Sequence, residues 1–119
     1  MNFVVRWINI STGAVGTLAG SRTPTFRDGT GIGAGFSAVN GVALNGAGTF
    51  ALVSDLSTIR RIDVSSGVTT TIAGNGTRGY ADGSSSSAMF SYPFAVVLDS
   101  SGTSALVVSS ANTGGLLLF

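Results

Sequence analysis

The chain has 119 residues, with six Arg, five Asp, no Lys, Glu, His or Cys, and a net charge of +1; 9% of residues are charged and 44% are hydrophobic. Against about 25% charge in ordinary globular domains, this excludes an acidic disordered tail and a basic arm for nucleic acid. Glu, Lys and Gln, which helices favour at exposed positions, are all absent, so 18 Gly and abundant Ser and Thr point to strands joined by turns.

Met1 to Ile10 lacks a basic leading segment and a small-residue cleavage site, so no signal peptide is expected. The first strands are expected over Val4–Ile10 and Ala14–Ala19, followed by a Gly-rich connection from Gly20 to Asn40. Gly41–Asn45, Phe50–Ser54, Ile59–Val64 and Val68–Ala73 then read as four strands, with Gly46-Ala47-Gly48 and Ser65-Ser66-Gly67 as reversals. A second connection, Gly74 to Phe94, leads into two more such strands. The apolar runs Ala105–Val108 and Leu116–Phe119 fall far short of the roughly 20 residues that span a bilayer, so no membrane partner is expected.

Laying residues 1–65 over 55–119 gives 20 identities at one fixed offset of 54, among them Arg6/Arg60, Gly13/Gly67, Thr17/Thr71, Asp28/Asp82, Phe36/Phe90 and Leu52/Leu106. A repeat this long exceeds a β-solenoid coil of roughly 20–30 residues, and the lack of helical periodicity excludes helical arrays. Four antiparallel strands per period make a propeller blade. The expected fold is therefore all-β, a partial β-propeller of four-stranded antiparallel blades. Residues 1–20 supply strands three and four of a first blade, and 21–74 a connection and one complete blade. Residues 75–119 supply a connection and strands one and two of the next, its third strand unassigned. The paired aromatics Phe26/Tyr80 and Phe36/Phe90 are expected to pin each connection to a blade.

The residues that carry this pattern are Asn2, Val5-Arg6, Ile8, Thr12-Gly13 and Thr17-Leu18-Ala19-Gly20, then Asp28-Gly29, Ala34, Phe36, Gly41-Val42-Ala43 and Ser54-Asp55. Ile59-Arg60, Ile62-Asp63, Gly67-Val68-Thr69-Thr70, Gly79-Tyr80-Ala81-Asp82-Gly83, Ala88-Met89-Phe90, Pro93 and Val96 to Asp99 continue it. Together they resemble the blade of NHL-repeat β-propellers over nearly the whole chain. Leu56-Ser57 stands where that family has Asn-His, Ser109 replaces a strand-ending Asp, and Gly114-Gly115-Leu116-Leu117-Leu118-Phe119 loses the Ile-Arg pattern. The resemblance implies a ring, and propellers close with about 4–8 blades. Further blades in cis are favoured, because unpaired strands invite aggregation; identical chains completing each other's split blades in trans are the alternative.

The candidate interaction surface is Arg6, Arg60 and Arg61 on the repeated third strand, with Trp7 and Tyr92, aromatics that break the repeat. For the arginines, a structural pair with Asp55 or Asp63 is favoured over a basic face for RNA, so nucleic acid is not an expected partner. For Trp7 and Tyr92, ordinary packing is favoured over a binding role. Asp28-Gly29 and Asp82-Gly83 read as Asx turns rather than calcium sites, since each loop offers a single carboxylate. Gly74 to Gly79 matches G-x-G-x-x-G, but Tyr80-Ala81-Asp82-Gly83 and four Ser follow it instead of a helix, so no nucleotide cofactor is expected. The sequons at Asn9 and Asn75 are expected by chance in so Ser- and Thr-rich a chain.

No catalytic, cofactor or metal residue is assigned, because the general bases reduce to five Asp. The expected function is a non-enzymatic scaffold for a protein or peptide. The alternatives are a homo-oligomeric propeller that binds carbohydrate, and part of a propeller enzyme of lactonase or lyase type with its catalytic residues in other blades.

Overall fold

The computed structural model describes residues 3–110 and 116–118, so Asn2 and Gly114-Gly115 of the repeat pattern lie outside the described residues. The strands are β1 (Val5–Ile8), β2 (Val15–Ala19), β3 (Gly29–Thr30), β4 (Val39–Leu44), β5 (Phe50–Asp55), β6 (Thr58–Asp63), β7 (Val68–Ala73), β8 (Pro93–Leu98), β9 (Ala105–Ser110) and β10 (Leu116–Leu118). Among the described residues the only helix is a single 3-10 turn, Gly31–Gly33.

The strands form three sheets: β1-β2, β3-β7-β6-β5-β4 and β10-β9-β8. The central one is the complete blade, an antiparallel meander from β4 to β7. Asn45 closes its first reversal: its side-chain oxygen accepts from the Thr49 and Phe50 amides at 2.8 and 3.0 Å, while Gly48 sits at φ +72, where a side chain would be strained. Asp63 closes the third reversal in the same way, accepting from the Ser65 and Ser66 amides and the Ser65 hydroxyl.

β5 is buried along its whole length, and its two faces feed two separate cores. Val53, with Ile62, meets Val5, Ala19, Ala34 and Phe36 on the side of β1-β2. Phe50 and Leu52, with Ile59, meet Phe90, Val96 and Val107 on the side of β8-β9. The three sheets are thus stacked blade on blade, a partial β-propeller whose sheets do not close a ring. Each fully buried aliphatic or aromatic side chain contributes about 1.5–3 kcal/mol to that stacking.

The innermost strands β4 and β8 run side by side. Gly41 is the point of closest approach: a Cβ there would stand 2.7 Å from the Phe94 carbonyl oxygen and 3.3 Å from the Ala95 Cα. The outer faces of the stack keep apolar side chains in the open. Val42 and Leu44 are 60% and 59% exposed at one end, and Val97 and Leu106 are 58% and 53% exposed at the other.

Two features were not expected from the repeat. Gly29–Thr30 is a fifth strand, paired antiparallel with the outermost strand β7. β10 is not a repeat copy of β6 either. Asp55 faces Thr58 in the complete blade, which would place Ser109 opposite residue 112, whereas Ser109 faces Leu117.

Candidate interaction surface

Arg60 was expected on an exposed surface or in a structural pair, and the structure puts it entirely inside. It has no exposed surface. Period-two alternation on β6 sends Arg60 and Ile62 to one blade face and Arg61 to the other, and the connection before β4 closes over the first. Nη1 donates to the Asp55 Oδ2 and the Gly35 carbonyl, both at 2.9 Å; Nη2 donates to the Asp28 Oδ1 and the Arg27 carbonyl, also at 2.9 Å. The guanidinium carbon lies 4.5 Å from the Phe26 ring centroid and 5.0 Å from that of Phe36. This latch holds the long connection to its own blade rather than linking two blades, and it removes Arg60 from any surface a partner could reach.

The two carboxylates in the latch differ in kind. The Asp55 side chain is fully buried and accepts from the Ser37 and Ala38 amides as well, at 2.9 and 2.7 Å. Asp28 is 53% exposed and accepts from the Thr71 hydroxyl at 3.0 Å. The Asx-turn expectation at Asp28-Gly29 is therefore corrected. The Asp28 carboxylate reaches across to β6 and β7, and Gly29 opens β3. Asp82 and Gly83 occupy the same place in the second connection, where Ala81 bridges Met89 as Arg27 bridges Gly35.

Asp63, the other expected partner for an arginine, ties off its own turn, as does Asp99 in the following blade. The Ser65 hydroxyl first, then the Ser66 amide, hold the Asp63 carboxyl below its ordinary value of 3.8. At Asp99 the Ser101 hydroxyl leads, followed by the Ser104 amide. A carboxyl lowered in the folded state supports folding above its unfolded value and loses that support as pH falls through the folded one. The urea midpoint is accordingly expected to fall as pH drops below 3.8 and through the lowered folded values, and the Asp63→Asn/Asp99→Asn double variant is expected to show a flatter profile there.

The remaining candidates fall in separate places. Arg6 and Trp7 lie on β1; Arg6 is exposed, and the Trp7 ring lies over Gly16 of β2, its register partner, so closely that a Cβ on Gly16 would clash with it. Arg61 is exposed and stacks on Phe50 with its guanidinium carbon 3.9 Å from the ring centroid. It borders a shallow cleft of about 180 Å³ with Leu52, Leu98 and Ala105 at the junction of two blades. Tyr92 is 42% exposed and lies under Arg78, whose guanidinium carbon is 4.8 Å from the ring centroid and whose Nη1 donates to the Tyr92 hydroxyl.

Tyr92 also has a φ of +50, strained for a bulky side chain and more so before proline. Such backbone costs about 1–3 kcal/mol and persists where the surroundings enforce it. Here the next residue, Pro93, is fully buried, and Phe94 beyond it is 42% exposed. The result is a fixed stack of the Arg78 guanidinium on the Tyr92 ring just before β8. Sequence reasoning found Tyr92 and missed Arg78, although a signal existed. Arg78 stands opposite Pro24 in the repeat as Tyr92 stands opposite Ala38, so the two depart from the repeat together.

Two solved structures from Bacteroides thetaiotaomicron share this fold. An auxiliary nutrient binding protein aligns over 88% of this chain with a TM-score of 0.71 and 23% identity. A structural genomics protein of unknown function aligns over 95% with a TM-score of 0.77 and 21% identity. The aligned stretch is 29% and 28% of those two chains, so this chain spans under a third of their length. No protein-family model matches the chain, and no curated protein matches it in sequence.

Proposed function

We propose that this chain is a stretch of an NHL-like β-propeller that serves as a non-enzymatic scaffold for a protein or peptide, which it contacts through the stacked pair Arg78 and Tyr92. The likeness to NHL blades is supported by the roles its pattern residues take: Arg60, Asp28 and Asp55 form the latch. A non-enzymatic role is supported by the structural employment of four of the five acids. Asp28 and Asp55 are engaged by Arg60, while Asp63 and Asp99 close their own turns.

The observation that carries the reading is Tyr92. It is large, half-open, conformationally strained and stacked with a cation, and the corresponding residue of the complete blade is a buried alanine, Ala38. Rigid aromatics paired with Arg dominate protein contact surfaces, because they bring area without much loss of side-chain freedom. The nutrient-binding description of one Bacteroides neighbour offers the competing reading of the stack, a small ligand stacked on Tyr92.

Panning a displayed random-peptide library on the immobilised chain tests the proposal. Enriched peptides are expected to lose about tenfold or more in affinity on Tyr92→Ala and on Arg78→Ala, and to keep it on Arg61→Ala. Peptides that bind Tyr92→Ala unchanged would overturn the proposal, as would an empty selection alongside Tyr92-dependent binding on a glycan array.

A further inference from the structure

Asn-Gly occurs three times in the chain, at residues 40–41, 45–46 and 75–76. Glycine leaves its own nitrogen unshielded, so that nitrogen can attack the side-chain amide carbon of the asparagine before it and close a five-membered ring. The fold treats the three pairs differently. Asn45 is tied down: its Oδ1 accepts from the Thr49 and Phe50 amides at 2.8 and 3.0 Å, and its Nδ2 donates to the Thr49 hydroxyl at 2.8 Å. Gly41 lies inside β4, packed against the Phe94 carbonyl oxygen and the Ala95 Cα of β8, which keeps the backbone at 40–41 from leaving the strand to form a ring.

Asn75 and Gly76 are both exposed, in the connection that leads from β7 to β8. The backbone around them is anchored. The Gly74 and Asn75 amides donate to the Ser85 and Ala88 carbonyls at 3.0 and 2.9 Å, and the Gly76 carbonyl accepts from the Ser57 hydroxyl at 3.1 Å. The reacting groups are left free: among the described residues, neither the Gly76 N–H nor the Asn75 Nδ2 donates to a protein acceptor. The Asn75 Oδ1 accepts from the Thr77 amide at 2.8 Å, and the ring closed by this bond runs through the Gly76 nitrogen. The same bond polarises the side-chain carbonyl and holds the oxygen on which negative charge builds as that nitrogen attacks. Asn9 accepts in the same way from the Ser11 amide at 3.0 Å, but there the nitrogen between belongs to β-branched Ile10. At Gly76, φ is +86 and nothing lies within 4 Å of a Cβ position, so the loop has room for the ring.

We propose that Asn75 is a self-modifying site, at which the Gly76 nitrogen attacks the Asn75 side-chain amide and the loop acquires a carboxylate. The Gly76 nitrogen gives its proton to water and bonds to the Asn75 Cγ; the Cγ–Nδ2 bond breaks and ammonia leaves. Water then opens the cyclic imide. Cleavage of the new Cγ–N bond leaves an aspartate in a normal backbone, and cleavage at the backbone carbonyl leaves an isoaspartate, with the chain running through the former side chain. Neither step oxidises or reduces an atom. Either product cancels the net charge of +1 and puts an anion three residues before Arg78, on the loop that stacks this cation on Tyr92.

The test incubates the 119-residue chain in warm, mildly alkaline buffer, folded or in urea, and follows each asparagine by mass spectrometry of proteolytic fragments. Methyl transfer by an isoaspartyl methyltransferase counts the isoaspartate formed. In the folded chain Asn75 is expected to convert about tenfold or more faster than Asn45, whose three hydrogen bonds must break first, and well ahead of Asn40. In urea, where neither strand nor turn survives, the three rates are expected to converge. Gly76→Ala is expected to slow conversion at residue 75 severalfold, because its methyl group shields the nitrogen while meeting no atom within 4 Å; circular dichroism checks that this variant folds. An Asn75 amide that persists in the folded chain, Asn40 or Asn45 converting alongside it there, rates that stay apart in urea, or a folded Gly76→Ala chain that converts as fast as the unsubstituted one would each overturn the proposal.

Discussion

Replacing Arg60 with Met is expected to destabilise the chain by about 3–5 kcal/mol, because it strands a buried carboxylate without its cation. Total stabilities of small domains are about 5–15 kcal/mol, so a change of this size removes a large share of the margin. Burial ranks the partners. Asp55, whose side chain is fully buried, holds Arg60 together with two backbone amides, so Asp55→Ala is expected to cost as much as Arg60→Met. Asp28 is 53% exposed, and Asp28→Ala is expected to cost about 0–1 kcal/mol because water replaces much of what is lost. Arg60→Lys keeps the charge but has three donors on one nitrogen, against four bonds made by two nitrogens in a fixed plane between two aromatic rings. It is expected to fall between, at about 1–3 kcal/mol. Urea unfolding followed by circular dichroism measures all four. Equal losses at Asp28 and Asp55 would contradict the assignment of the latch to the buried carboxylate.

The latch also marks where sequence reading stopped. The repeat, the strand order and the turns were legible because each rests on local chemistry: apolar alternation within six residues, and Gly, Asn or Asp at reversals. Two adjacent arginines on a strand must face opposite ways, so one of Arg60 and Arg61 had to point inward from one blade face. Which one is enclosed depends on the connection, and Arg27 and Asp28 reach Arg60 across 33 and 32 positions of chain. Gly29–Thr30 was illegible as a strand for a related reason, since two residues carry no periodicity and their pairing with β7 is fixed by Asp28 beside them. Arg6 shows the same dependence from the other side. It is identical to Arg60 by repeat position yet exposed, because among the described residues no connection covers it.

Gly41→Ala isolates the contact that holds two blades at the propeller's inner edge. Gly41 is not at positive φ, so alanine carries no backbone penalty there and would by itself help folding by about 0.4–1 kcal/mol through the unfolded chain. The contact works against this. The new Cβ would meet the Phe94 carbonyl oxygen at 2.7 Å and the Ala95 Cα at 3.3 Å. Both belong to backbone inside β8, which cannot turn away as a side chain can. Relief requires β4 and β8 to separate, and overpacking of this kind costs about 1–3 kcal/mol. Gly48→Ala is the opposite case, with φ +72 and nothing within 4 Å of the new atom. It is expected to cost about 1–2 kcal/mol from left-handed backbone alone. Hydrogen exchange separates the two mechanisms. Gly41→Ala is expected to lower protection in β8 while β1 and β2, which pack on the other face of the complete blade, keep theirs; Gly48→Ala is expected to act on the β4–β5 reversal. If Gly41→Ala left β8 as protected as before, the close approach of the inner strands would not be what sets the spacing of the blades.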